Sequence, residues 1–107
     1  MLELTLENFD AEVIENNKPV VIDWWGETCE NCIALMPMVE EVSAEYSDCF
    51  HFTKFNTSQK GVRRFCIKHK IMGLPVISIF KNGEKVAELT KDDITKESLV
   101  EMLKANC

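Results

Sequence analysis

The feature that most constrains the fold is a run of six residues, Val20–Trp25, in which Asp23 is the only polar side chain. β-Branched and aromatic residues pack well on a pleated surface, and an apolar run without alternation is typical of a strand covered on both faces. The run therefore predicts a buried strand at the centre of a sheet. The residues Gly26–Thr28 predict a turn directly after it.

Strand-like and helix-like patterns alternate along the rest of the chain. The predicted elements are, in order, a strand at Leu2–Thr5, a helix on Leu6, Phe9 and Val13 that runs to about Glu15, the central strand, a long helix that starts near Cys29 and is interrupted at Pro37, a strand at Phe50–Asn56, a helix at Gln59–Lys68, a strand at Val76–Phe80, a hairpin turn at Lys81–Glu84, a return strand at Lys85–Leu89 and a last helix that buries Leu99, Met102 and Leu103. The βαβ units predict parallel pairing and the hairpin predicts antiparallel pairing. We therefore expect an α/β fold with a central mixed β-sheet and helices on both faces, in a single domain spanning residues 1–107.

Composition and charge argue against several classes of protein. The chain has 18 acidic and 12 basic residues and a net charge of −6, which argues against nucleic acid or an anionic membrane as the main partner. No apolar run is long enough to span a membrane, and Met1 is not followed by the basic and apolar regions of a secretory signal. We expect a cytoplasmic, monomeric protein without a cofactor.

Five cysteines are present: Cys29, Cys32, Cys49, Cys66 and Cys107. An odd count without a visible secretory signal is a poor disulfide framework. The pattern fits a reducing compartment in which one pair carries out chemistry and the other cysteines remain thiols.

The reactive pair is predicted to be Cys29 and Cys32, a C-x-x-C motif between the central strand and the following helix. At a helix N-terminus, free N–H groups and the helix dipole favour the thiolate of Cys29. Cys32, one turn later, is close enough to form a disulfide and is expected to be more buried. Cys29 would attack a substrate disulfide, and Cys32 would resolve the mixed disulfide.

Two other interpretations of the cysteines remain. The pair could be two unrelated core thiols. Cys66 and His69 form a C-x-x-H pattern that could complete a metal site with Cys29 and Cys32, but the gap between the halves is longer than usual zinc spacings. Cys66 also belongs to the apolar stripe of its own predicted helix. We therefore predict no metal site.

Asp23 is unusual because a carboxylate is costly among Val, Ile and Trp unless it is neutral, paired or hydrated. Burial should raise its pKa, and such a group can exchange a proton with Cys32. Lys54, on the neighbouring predicted strand, is a candidate cationic partner. The alternatives are a solvent-facing Asp23 at a strand edge and an ordinary surface lysine at position 54.

A third motif is Gly73-Leu74-Pro75, directly before a core strand. Proline is unusual there because it gives the sheet no N–H group. A cis bond before Pro75 would bring the backbone close to Cys29, and the N–H and C=O of Leu74 could pair with an extended substrate. The other reading is a simple proline at the start of a strand, and the sequence does not separate cis from trans.

Together these segments resemble the thioredoxin family. The matching pieces run in family order over nearly the whole chain: Val21–Trp25, Cys29–Cys32, Pro37, Lys54–Asn56, Gly73–Pro75 and Phe80–Glu84. The resemblance implies a thioredoxin-like three-layer fold, with Cys29 as nucleophile, Cys32 as resolving thiol, Asp23 as a buried acid/base assisted by Lys54, Trp25 packed under the site and Pro75 as a cis-proline.

The resemblance also implies a substrate-binding surface and partners. The substrate-binding residues are expected to be Trp25, Thr28, Glu30, Asn31, Gly73, Leu74, Pro75 and Asp92. The partners are a flavoprotein thioredoxin reductase as electron donor and disulfide-containing acceptor proteins. An oxidase or isomerase of the same fold and a non-enzymatic adaptor are the competing functions.

The chain departs from the family pattern near the motif. Glu30-Asn31 replaces the usual Gly-Pro, Thr28 a usual tryptophan, Ile33 a usual lysine, and Asp92 a glycine of the docking groove. These departures indicate a specialised thioredoxin. The segments Trp25–Glu30 and Ala34–Pro37 are also similar to thioredoxins of anaerobes that serve amino-acid reductases such as glycine reductase.

Overall fold

The computed structural model describes residues 1–107. Its elements are β1 (Leu2–Leu4), a π-helical turn (Asp10–Ile14), β2 (Val20–Trp25), α1 (Glu30–Glu45), β3 (His51–Asn56), α2 (Arg63–Lys68), β4 (Val76–Lys81), β5 (Glu84–Thr90), a short 3₁₀ helix (Lys91–Asp93) and α3 (Lys96–Asn106). None of the helices is both long enough and apolar enough to cross a membrane.

The five strands form one sheet in the order β1-β3-β2-β4-β5. β1, β3 and β2 are parallel, whereas β4 is antiparallel to both β2 and β5. β2 is therefore the middle strand, as the unbroken apolar run predicts. The mixed sheet confirms the predicted α/β fold.

Side chains alternate along β2 and build a separate core on each side of the sheet. The first core, which we call the aromatic face, lies under the π-helical turn and α2. Its buried members are Leu4, Phe9, Val13, Val20, Ile22, Trp24, Phe55, Val62, Cys66, Ile71, Val76 and Phe80. This face holds the largest buried side chain of the protein, Trp24.

The second core, which we call the aliphatic face, lies under α1 and α3. Its buried members are Val21, Val39, Val42, Phe50, Phe52, Ile77, Ile79, Ile94, Leu99 and Leu103. Met102 is only partly buried against this core, whereas Leu99 and Leu103 are fully buried as predicted. Helices thus cover both faces, which completes the predicted three-layer arrangement.

Three predicted helices differ in detail. The first is a π-helical turn over Asp10–Ile14. α2 begins at Arg63 instead of Gln59. Gly61, which lies between Gln59 and Arg63, has a φ of +80°. This left-handed conformation does not fit the interior of a right-handed helix. The predicted interruption of α1 at Pro37 is wrong, because the helix continues to Glu45 and buries Val39 and Val42 beyond the proline.

The cysteines also differ from the prediction. Cys49 is bonded to Cys107, so the expectation that every cysteine outside the C-x-x-C pair is a thiol is wrong. Cys66 is the one free cysteine, and it is buried. The two partners are 58 positions apart, and only the packing of α3 against the rest of the aliphatic face brings them together.

The two edges of the sheet are of different kinds. β1 contributes three residues. β5 is longer, and every second residue from Glu84 to Glu88 is exposed. Lys85 and Glu88 of this strand form an ion pair with an Nζ–Oε1 distance of 2.8 Å.

Candidate active site

The C-x-x-C motif occupies the junction between β2 and α1. A turn separates the two elements, and the Cys29 N–H donates to the Gly26 carbonyl at 3.1 Å. Cys29 is the N-cap residue of α1, with an extended backbone, and its Sγ accepts the Cys32 N–H at 3.2 Å. The sulfur thus takes the place of a capping side-chain oxygen at the positive end of the helix dipole.

Cys29 and Cys32 form a disulfide with a Cα–Cα distance of 5.3 Å. Cys32 is 1% exposed, whereas Cys29 is half-buried. This difference agrees with the prediction that the second cysteine is the more buried of the pair. An incoming thiol or disulfide therefore has access to the Cys29 sulfur and not to that of Cys32.

Asp23 lies in the middle strand and is 3% exposed, which excludes a solvent-facing position at a strand edge. Its neighbour Val21, two residues earlier, belongs to the aliphatic face, so the carboxyl is directed to the layer that contains α1 and Cys32. Its Oδ2 atom has no hydrogen-bond partner. Burial raises the pKa of Asp23 from 3.8 to about 7, against the attraction of the Lys54 ammonium and with a smaller contribution from the Glu3 carboxylate.

Lys54 stands between two carboxylates in one row across the sheet. It pairs in register with Asp23 on β2 and with Glu3 on β1. It forms no ion pair with either of them within 4.0 Å, and its Nζ lies 5.9 Å from the centre of the Trp25 ring. The Trp25 indole N–H in turn lies 3.5 Å from Glu3 Oε2. Lys54 is therefore half-buried beside Trp25 and acts on Asp23 at longer range than an ion pair.

The third motif forms a second loop beside the first. The Leu74–Pro75 bond is cis, and the Pro75 carbonyl accepts the Lys91 N–H at 2.8 Å. The loop meets the C-x-x-C turn at Gly26, because a Cβ atom on this glycine would lie 3.1 Å from Leu74 Cδ1 and 3.2 Å from Thr57 Oγ1. Glycine at position 26 thus permits the close approach of the two loops.

The structure distributes the eight predicted substrate-binding residues over several places. Asn31, Pro75 and Asp92 line one groove of ≈ 270 Å³, which also contains Ala34, Leu35, Lys91 and Ile94. Gly73 and Leu74 line a different depression next to α2. Thr28 and Glu30 are exposed beside Cys29, and Trp25 is half-buried at the end of β2. The predicted set is therefore divided by the Pro75 loop into two neighbouring surfaces.

Sequence reasoning missed two residues that belong to this region. Glu3 joins the row with Lys54, and Lys91 holds the Pro75 carbonyl. The Lys91 side chain also covers Gly73, where a Cβ atom would lie 2.8 Å from its Cε. Lys91 has a φ of +48°, a conformation that is uncommon for lysine and is not predicted from the residue type. No local pattern marks either residue, because both act through contacts between distant strands and loops.

Cys66 and His69, the second half of the hypothetical metal site, do not form a cluster with Cys29 and Cys32. Cys66 is buried on the aromatic face, and burial raises the pKa of its thiol. The His69 ring packs against Phe65 at 4.6 Å and Phe9 at 5.1 Å between ring centres. Burial, together with the nearby Lys68 and Lys85, lowers the pKa of His69. No group of three or more His, Cys, Asp or Glu side chains has the arrangement of a metal site.

Comparison with known proteins agrees with this geometry. The family model described as Thioredoxin matches residues 1–105. A thioredoxin of Acetoanaerobium sticklandii is 42% identical over 104 residues, which cover 97% of this chain and 97% of that protein. A thioredoxin of Peptoclostridium acidaminophilum is 45% identical over 103 residues, which cover 96% and 92%. A thioredoxin of Acidithiobacillus ferridurans is 31% identical over 99 residues, which cover 89% and 90%.

These similarities extend over almost the entire length of each protein, so they include both cores and both loops of the site. Thioredoxins are thiol–disulfide oxidoreductases that work with thioredoxin reductase and with disulfide substrates. A close Cys29–Cys32 pair at the N-terminus of α1 is the group that this activity requires. The chain therefore belongs to the thioredoxin family.

Proposed function

We propose that Cys29 is the attacking thiol and Cys32 the resolving thiol in the reduction of protein disulfides. In the reduced protein, the Cys29 thiolate attacks one sulfur of the acceptor disulfide, and the other acceptor sulfur leaves as a thiolate that takes up a proton. Cys32 then attacks the Cys29 sulfur of the mixed disulfide and releases the second acceptor thiol. The acceptor gains two electrons, and the chain is left with the Cys29–Cys32 disulfide.

The observation that carries this assignment is the unequal exposure of the two sulfurs. Cys32 is 1% exposed, whereas Cys29 is half-buried at the surface end of the turn. An intermolecular attack needs access to the sulfur, but an attack within the molecule needs only proximity. The order of attack follows from that difference.

Asp23 is the proposed proton acceptor for Cys32, with Lys54 as a positioning residue. Its carboxyl is buried on the face below α1, its Oδ2 has no other hydrogen-bond partner, and its pKa of about 7 lets it bind and release a proton near neutral pH. The Lys54 ammonium limits the rise in that pKa. Asp23 would take the Cys32 proton as the mixed disulfide is resolved and return it when the disulfide is reduced.

The acceptor would bind along the two surfaces beside the Pro75 loop. The groove with Asn31, Pro75 and Asp92 and the depression with Gly73 and Leu74 both include residues of the loop. Thr28 and Glu30 are exposed next to Cys29 in the chain, and Trp25 is half-buried at the end of β2. The backbone of Leu74 offers an N–H and a C=O for an extended acceptor segment. Residues 1–107 would act as one domain and as a monomer in the cytoplasm, with a flavoprotein thioredoxin reductase as donor. The resemblance of Trp25–Glu30 and Ala34–Pro37 supports amino-acid reductases as acceptors.

Trapping of mixed disulfides tests these roles. The variant Cys32→Ser should accumulate a covalent complex with a disulfide-containing acceptor, because nothing resolves the intermediate. The variant Cys29→Ser should accumulate none, since Cys32 is buried and Cys107 is held in the disulfide with Cys49. The double variant Cys49→Ser/Cys107→Ser, which removes two cysteines that lie outside the active site, is the control and should turn over normally. Equal trapping by the two active-site variants would contradict the assignment.

A further inference from the structure

A second pair of cysteines lies outside the active site. Cys49 and Cys107 are bonded, with a Cα–Cα distance of 5.6 Å, which is inside the usual range for disulfides. Cys49 belongs to the turn between α1 and β3 and packs partly against the aliphatic face. Cys107 follows the last residue of α3 and is exposed. The bond therefore fastens the end of α3 to the α1–β3 turn.

This pair is far from Cys29 and Cys32. β2 and β3 are parallel; Cys29 follows the end of β2, whereas Cys49 precedes the start of β3. The two disulfides therefore lie at opposite ends of the sheet, separated by about 20 Å along a six-residue strand. Thiol–disulfide exchange requires sulfur–sulfur contact, so one pair cannot oxidise or reduce the other within the same molecule.

We propose that Cys49 and Cys107 are a second, reversible dithiol–disulfide couple, which is oxidised by low-molecular-weight disulfides and fastens α3 when oxidised. The exposed Cys107 thiolate attacks the disulfide of oxidised glutathione, and one glutathione leaves as a thiolate. Cys49 then attacks the Cys107 sulfur of the mixed disulfide and releases the second glutathione. Two electrons pass from the cysteines to glutathione, and the two cysteine protons end on the two glutathione thiols.

The consequence for the fold follows from where the bond lies. α3 is held by the buried side chains of Leu99 and Leu103, and its last residues extend beyond them. A cross-link between positions 49 and 107 closes a long loop, which reduces the conformational freedom of the unfolded chain. Oxidation of this couple should therefore raise the thermal stability of the whole protein and leave the surface around Cys29 unchanged.

The test uses the full chain with Cys29→Ser and Cys32→Ser, so that only the second pair and the buried Cys66 remain. The protein is equilibrated in glutathione buffers of increasing oxidised fraction, alkylated and weighed by mass spectrometry. We expect two alkylatable thiols to disappear together without a gain of glutathione mass. The melting temperature should rise by about 10 °C or more in the oxidised protein.

The matched control adds Cys49→Ser, which leaves Cys107 without a partner. It should gain one glutathione at most, and its melting temperature should not rise. Peptide mapping of the unmodified chain supplies an independent readout, since oxidation should link the peptides that contain Cys49 and Cys107. The proposal is overturned if both thiols stay alkylatable in oxidised buffer, or if each carries glutathione and no linked peptide forms.

Discussion

Trp24 and Asp23 are neighbours in β2, yet they lie on opposite faces of the sheet and in opposite kinds of environment. The Trp24 side chain is fully buried, and its indole N–H donates to Ser78 Oγ at 2.8 Å. The Asp23 carboxyl is almost as deeply buried, but its Oδ2 has no hydrogen-bond partner. The aromatic face satisfies its buried polar atom, whereas the aliphatic face leaves one open.

The difference shows how one strand separates stability from reactivity. Unpaired polar atoms in a core are costly, so they are rare unless they serve a purpose. The aromatic face holds none of the residues assigned to the thiol chemistry, and its buried indole N–H is paired. The aliphatic face carries a cost at Asp23, and in return the site has a carboxyl with a pKa of about 7 beside the helix of Cys32.

The largest effect is expected from truncating the aromatic face. Trp24→Ala should lower the free energy of unfolding by about 3–5 kcal/mol, because it removes a fully buried ring and leaves a cavity in the core. Urea denaturation measures the loss. Val86→Ala, at a 47% exposed position of β5, is the control and should change stability by about 0.5 kcal/mol or less. A loss of less than 1 kcal/mol for Trp24→Ala would contradict the role given to this face.

The next effect should depend on pH and belongs to Asp23. Between pH 3.8 and about 7, the folded protein keeps a proton on Asp23 that the unfolded chain has released. Wild-type stability should therefore fall as the pH rises through this window, by about 4 kcal/mol in total. Asp23→Asn removes this dependence, so the variant should be more stable than the wild type at pH 8 and nearly equal to it near pH 4.

Denaturation curves over this pH range measure that difference, and Asp48→Asn, at an exposed position, should follow the wild-type curve. The same Asp23→Asn protein should reduce acceptor disulfides more slowly, because the proposed proton acceptor for Cys32 is lost. If wild-type stability does not fall between pH 4 and 8, the pKa of Asp23 in the folded protein is not raised by burial.

The smallest effect should come from a carboxylate on the surface. Glu30 is exposed in the first turn of α1, next to Cys29. Its charge opposes the thiolate of the reduced form, so Glu30→Gln should make the couple more oxidising, by about 20 mV at most. A glutathione redox equilibrium measures the change, which should shrink at high salt.

Glu97→Gln removes an acid from the first turn of α3 and should leave the potential unchanged. A shift in Glu30→Gln that is as large at high salt as at low salt would mean that Glu30 acts by contact and not through its field. In that case the effects of the buried Asp23 and the exposed Glu30 would differ less than their positions in the fold suggest.

Local patterns were sufficient for the central strand, the C-x-x-C junction and the burial of Asp23. Each depends on residues that are close in sequence, so spacing and side-chain type carry the information. The Trp24–Ser78 hydrogen bond, the row of Glu3, Lys54 and Asp23 and the Cys49–Cys107 bond could not be predicted in this way. They depend on strand register and on the docking of α3, which arise only when distant segments pack.

The misplaced start of α2 has a similar cause. The pattern of Val62, Phe65 and Cys66 extends naturally back to Gln59, but the Gln59 side chain donates to the backbone carbonyls of Leu4 and Asn56. Gly61 then reverses the backbone before the helix starts. Periodicity detects the buried stripe but not the tertiary hydrogen bonds that compete with a helical turn.

The edge strands of the sheet, β1 and β5, determine whether another chain can pair with this protein. An exposed strand at the edge of a sheet can pair with a strand of another chain. β1 is only three residues long, and β5 carries the Lys85–Glu88 ion pair. Short and charged edge strands are poor templates for strand addition, so neither β1 nor β5 is expected to pair with a strand of another chain. The sheet edges thus leave the backbone of the Pro75 loop as the proposed place where an acceptor segment pairs.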